Sequence, residues 1–207
     1  HTALGEYAEA LEALQKGHAL GRLRGDAWHY SSAQWVESAK RMVDLADRLL
    51  PAIERGEAGL PVEDPQAMIL RELEAVARTR GRGVALTKAY QELLASAGPQ
   101  THPNLFLRAA CAALIPAAVN PSQSTSLGYR QLASRWLRES LTRCRMAAEA
   151  GVLPRGVAAL MITDSLADPG LDPIREGAGL DELPEAERAH WIERWDEARA
   201  IASALAD

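Results

Sequence analysis

The residues of this chain that could do chemistry are scattered, and their spacing decides which chemistry stays open. The five histidines, His1, His18, His29, His102 and His190, include no pair at i and i+4, the spacing by which one helix face presents two metal ligands. Cys111 and Cys144 stand alone, without a Cys-x-x-Cys spacing, and read as reduced, buried thiols. Glu185 with Glu187, and Asp172 with Asp181, lie in polar stretches where solvation accounts for them without general acid-base work. Arg80-Gly81-Arg82-Gly83 has the glycines of a phosphate loop but lacks the Gly-Lys-Ser/Thr continuation and a preceding strand. No His-Glu-x-x-His, Gly-x-Ser-x-Gly or kinase catalytic motif occurs, so no catalytic, cofactor-binding or metal-ligating residue is assigned. The expectation is binding, not bond-making.

The elements that would position such residues are helices. Helix formers dominate, aromatics make up 5% of the chain, and runs of Val, Ile and Thr that would suggest strands are missing. Ser31 and Gln34 have capping-box spacing, so a helix should start near Ser32 and run to Pro51, which should kink or end it. Trp35 is expected to anchor its apolar stripe in the core. Asp64-Pro65 marks the next helix start, with Met68, Leu70, Leu73, Val76 and Ala77 as the inner face of helix 65–79. Gly81 and Gly83 lead into helix 84–96, and so short a turn requires antiparallel neighbours.

Helix 104–118 contains the small-residue run Ala109 to Leu114, and Pro116 should bend or terminate it. Residues 120–126 read as the most disorder-prone stretch, followed by a long helix over about 127–150. Its arginines, Arg130, Arg135, Arg138, Arg143 and Arg145, read as a solvated basic surface. A shorter helix over 155–166 precedes a loop that Leu171 and Ile174 should pin to the body. The last helix, from near Pro184, places Trp191, Trp195, Ala198, Ile201 and Leu205 on one face.

With 207 residues and a formal net charge of -5, the protein can form one domain or an elongated array, and nucleic acid is disfavoured as its main ligand. No apolar run approaches the roughly 20 residues that cross a bilayer. A cytoplasmic setting is expected, as is a longer parent protein, because the sequence opens inside a helical repeat.

That repeat is the stretch Leu4 to Gly21. Gly5, Tyr7, Ala10, Leu14 and Gly17 are spaced as in the second helix of a tetratricopeptide repeat, with Ala10 and Gly17 small where two backbones pass closely. In the same frame Gly81 is a turn glycine, Tyr90 a packing aromatic, and Leu86 stands where the motif prefers alanine. The fold predicted is a single all-α domain, a tetratricopeptide-like right-handed solenoid of antiparallel hairpins. Its parts are a partial first repeat with a long helix (1–60), a second repeat (65–98), a degenerate third (103–150) and capping helices (151–207).

The phrases YAEALEALQKGHALG, SSAQWVESAKRMVDLADRLLPAIERGE, RAACAAL, SRWLRESL and DPGLDPIREGAGLDELPEAERAHWIERW resemble the tetratricopeptide-containing region that follows the kinase domain in large bacterial Ser/Thr protein kinases, abundant in planctomycetes. The resemblance implies a sensory, scaffolding or substrate-recruiting array tethered to a kinase domain, and no catalytic residue here. Placed in the repeat frame, Arg71, Arg78, Asn104 and Arg108 turn toward a concave groove. The expected partner is a protein or peptide, acidic or phosphorylated, or the C-terminus of another polypeptide, held by charge-assisted hydrogen bonds. The alternatives are a small-molecule sensor with a pocket among Trp136, Cys111 and Trp191, and a structural dimerisation segment.

Overall fold

The computed structural model describes residues 5–24, 30–61, 68–119, 124–175 and 177–206. In sequence order the helices are α1 (Tyr7–Leu23), α2 (Ser32–Asp44), a π-helical turn (Leu45–Leu49), α3 (Leu50–Glu54), α4 (Met68–Thr79), α5 (Gly83–Ala95), α6 (Pro103–Ala117) and α7 (Ser124–Glu149). They continue with α8 (Arg155–Leu166), a 3-10 segment (Pro169–Ile174), α9 (Ala178–Asp181) and α10 (Glu185–Ala206). The fold class is all-α, with no strand among the described residues.

A helix that is apolar on every side has no face to give to water, and α6 is such a helix: every residue from Leu105 to Ile115 is buried. It meets α4, α5, α7 and the 3-10 segment, so contacts converge on it from several sides. Ala109, Ala110, Ala112 and Ala113 keep its surface thin enough for this. On one side Thr87 of α5 donates to Ala112 O at 3.2 Å, and a Cβ on Gly83 would lie 2.6 Å from Ile115 Cγ2. On another, Ser140 of α7 donates to Pro103 O at 2.9 Å, which sets α7 antiparallel to α6. Pro116 stands one residue before the end of α6, as its missing donor requires.

The outer helices pack in pairs. α1 lies on α2, with His18 Nδ1 and Ser32 Oγ 2.8 Å apart. Tyr7 is buried, and its hydroxyl donates to Thr79 Oγ1 at 2.6 Å, tying α1 to the end of α4. The backbone enters α1 through Gly5 and leaves α4 through Gly81, both at positive φ (75° and 66°), where a Cβ would be strained. At the other end α10 lies on α8 and α7, burying Trp191, Trp195 and Ala198. Leu171 and Ile174 are fully buried, and Trp195 Nε1 donates to Ile174 O at 2.9 Å, so the loop is pinned as expected.

Several expectations are corrected. Pro51 does not end its helix: the backbone widens into the π-helical turn and runs on to Glu54, because the wider turn accommodates a residue that cannot donate and whose ring crowds the preceding turn. Trp35 is not a core anchor; it is 47% exposed and lies beside Tyr30 with ring centroids 6.2 Å apart and the rings tilted by 42°. It lies beside the buried face of α2, which Ser32, Val36 and Ala39 take. Met68 is likewise exposed at the start of α4. Gly17 has nothing within 4 Å of a Cβ position, so no backbone passes close there.

α4 and α5 touch, but α4 divides its contacts among α5, α6 and the π-helical turn instead of forming a close hairpin with α5. Ser124, Thr125 and Ser126 form the first turn of α7, and Ser126 is buried. Arg130 is buried too, against the expectation of a solvated surface. The expected helix start at Asp64-Pro65, His1, His29 and residues 120–123 lie outside the described residues.

Candidate functional site

The lone charge in the apolar sequence of α6 is Arg108, and burying it requires partners. Its Nη1 donates to Glu74 Oε2 of α4 at 3.0 Å, and its Nη2 to Asp168 Oδ2 at 2.5 Å. Asp168 also caps the 3-10 segment, its Oδ1 accepting from Gly170 N at 2.9 Å. Arg175 donates to the Asp168 carbonyl at 2.7 Å. Gly170 is required here, since a Cβ would stand 2.6 Å from Cys111 Sγ. Burial pushes the Glu74 carboxyl up to about 8, against the pull of Arg108. Burial likewise lifts the Cys111 thiol and the Tyr90 phenol well above their ordinary values.

Arg71 belongs both to this cluster and to the surface. Its Nη2 lies 3.2 Å from Asp168 Oδ2, while the side chain is 61% exposed. It opens on a cavity of about 520 Å³ whose lining includes Met68, Asn104, Leu107, Cys144 and Met161. A second cavity of about 620 Å³ lies between the 97–103 turn, the end of α7, residues 152–153 and Met161 of α8, reaching Met146 and Val152. His102, Leu153 and Met161 line both, which makes the two cavities one groove.

The groove's walls are held from behind. Arg143 Nη1 donates to the carbonyls of Gly98, Pro99 and Thr101 at 2.8, 3.3 and 3.4 Å, and its Nε to Glu139 at 2.7 Å. Its guanidinium carbon stands 4.5 Å from the centroid of Phe106. His102 caps α6, its Nδ1 accepting from Asn104 N at 3.2 Å, so the ring proton sits on Nε2. Ser140 and Ser165 give their hydroxyl protons to backbone carbonyls. Burial raises the Cys144 thiol to about 11, which keeps it protonated and unreactive at neutral pH. Among the described residues, no three His, Cys, Asp or Glu side chains come together to hold a metal ion.

Of the residues expected to face a groove, Arg71 and Asn104 line the first cavity. Arg78 is exposed seven residues further along α4 and lines neither cavity. Arg108 does not face a groove at all; it is 2% exposed, because its guanidinium N–H groups are taken by two interior carboxyl groups, Glu74 and Asp168. The pocket expected among Trp136, Cys111 and Trp191 is filled: all three are buried, and none lines either cavity. The methionine lining and the Arg143-held turn were not anticipated; Glu74 inside the apolar stripe of α4 was the visible sign of the buried cluster. No known protein family, curated protein or solved structure matches this sequence. No helix among the described residues is long and apolar enough to cross a membrane.

Proposed function

We propose that the protein is a non-catalytic protein-interaction module that binds a partner segment in the groove between the start of α6, the end of α7 and α8. The observation that carries this reading is that four exposed apolar side chains line this one groove. Met68, Met146, Val152 and Val157 all line the groove, and Leu160 stands exposed beside them on α8. Three of the four methionines in the sequence, Met68, Met146 and Met161, are groove residues. Methionine is flexible and polarisable, so a surface rich in it adapts to a peptide's side chains. The occupant is an amphipathic segment that lays apolar side chains in the groove and a carboxylate or phosphate near Arg71.

Several features support a tetratricopeptide-like origin: turn glycines at Gly5 and Gly81, buried Tyr7 and Tyr90, and paired helices. In that reading the module is the regulatory or substrate-recruiting region of a Ser/Thr protein kinase. A second reading, an apolar small-molecule sensor, draws on the cavity sizes, about 520 and 620 Å³, which fall in the range of small-molecule sites. Selection of a random peptide library on the folded protein distinguishes them. Enriched peptides that share apolar anchors beside an acidic residue, and that lose binding to an Arg71→Glu variant, support the module. A library that yields no binder, with a metabolite that raises the melting temperature, favours the sensor.

A further inference from the structure

Histidine aside, four charged side chains line the groove: Arg71 and Asp164 on the first cavity, Glu139 and Arg143 on the second. Two are basic and two acidic, so a ligand of one sign gains little net attraction from the groove as a whole. Only the first pair is open. Arg143 is taken up by Glu139 and three backbone carbonyls. Arg71 meets one oxygen of Asp168, which Arg108 also holds, and its side chain stays largely exposed. Asp164 on α8 is exposed, and among the described residues it makes no hydrogen bond or ion pair. Asp168 N donates to Ser165 O at 3.1 Å, so the turn that ends α8 closes on Asp168, four residues after Asp164. Arg71 Nη2 lies 3.2 Å from Asp168. That places the free carboxylate and the guanidinium on the order of 5–10 Å apart. Physiological salt, with a Debye length of about 8 Å, does not fully screen charges at that range.

We propose that the groove selects a dipolar segment, in which an acidic group meets Arg71 and a lysine or arginine meets Asp164. The inference rests on the interaction-module reading and adds to it a second, opposite charge. A carboxylate brought to Arg71 alone also meets Asp164, and a basic side chain brought to Asp164 alone also meets Arg71. Only a partner carrying both signs turns each repulsion into a pair. The spacing of its two charges follows from the same geometry. Side chains two apart on an extended segment, or three to four apart on a helix, span such a separation. The apolar anchors then fall on Met68, Val157 and Met161, which line the same cavity.

The test selects a random peptide library on the folded protein and on Asp164→Lys, an exposed change whose fold circular dichroism checks. The wild type is expected to enrich peptides with an acidic and a basic residue within four positions, and Asp164→Lys to enrich peptides with acidic residues at both. One wild-type peptide is then titrated by calorimetry beside a version whose basic residue is glutamine. The glutamine version should bind the wild type about three- to fivefold more weakly, and should bind Asp164→Asn as well as the parent peptide does. Asp164→Glu should keep the preference. Acid-only peptides that bind the wild type and Asp164→Lys equally would overturn this inference while leaving the interaction module standing. A library that yields no binder would remove both.

Discussion

Arg71 Nη2 lies 3.2 Å from Asp168 Oδ2, the same carboxylate oxygen that Arg108 Nη2 reaches at 2.5 Å from inside the protein. One oxygen therefore joins the rim of the groove to the interior. The two arginines meet it in different dielectric surroundings, and their removal should cost very different amounts.

Arg71→Ala should change stability by about 0–1 kcal/mol, because the Arg71 side chain is open to solvent and screened while the buried Asp168 keeps Arg108 as its partner. Arg108→Met should cost about 3–5 kcal/mol, because it strands Glu74 and Asp168 in the interior. Urea unfolding of the two variants side by side checks the contrast.

The Glu74 carboxyl gives stability a pH dependence whose sign can be worked out. It titrates near 4.5 when unfolded and at about 8 when folded, so between these values the folded protein keeps a proton that the unfolded one has lost. Stability from this group therefore falls as pH rises through that window. The melting temperature should drop between about pH 5 and about pH 8, and Glu74→Gln should flatten that drop. A variant whose slope matches the wild type would show that Glu74 is already ionised in the fold.

Two glycines should respond in opposite directions to alanine. Gly170→Ala forces a Cβ to within 2.6 Å of Cys111 Sγ and should cost about 1–3 kcal/mol through overpacking. Gly17→Ala meets nothing within 4 Å and lies inside α1, so it should stabilise by about 0.5–1 kcal/mol. Calorimetric midpoints would check both signs.

Helix existence was legible wherever glycine and proline punctuate the sequence. Gly83–Ala95 and Arg155–Leu166 fall within a residue of the spans expected from their sequence, because their ends are set by local backbone chemistry. Exposure at helix ends was less legible. Trp35 and Met68 belong to apolar stripes, but the buried face of α2 is taken by Ser32, Val36 and Ala39 and that of α4 by Leu70, Leu73, Val76 and Ala77, and a stripe does not say how wide the covered face is. Nor does local patterning reveal which distant charges meet. Arg108 in an all-apolar helix and Glu74 in an apolar stripe each signal a buried charge, but nothing near either residue points to Asp168, 60 residues beyond Arg108. The groove depends on three separate segments meeting at His102, Leu153 and Met161, so Arg71 and Asn104 were reached through the repeat frame while its methionines were not.

The most direct test of the interaction module follows the methyl groups of methionine, since Met68, Met146 and Met161 line the groove and Met42 lies on α2 beside the core. With those methyls labelled, a library-selected acidic and apolar peptide is added during NMR observation. The account predicts saturable shifts at Met68, Met146 and Met161, an unmoved Met42, and loss of the effect in Arg71→Glu. Binding that moves Met42 and leaves the three groove methyls in place would contradict it.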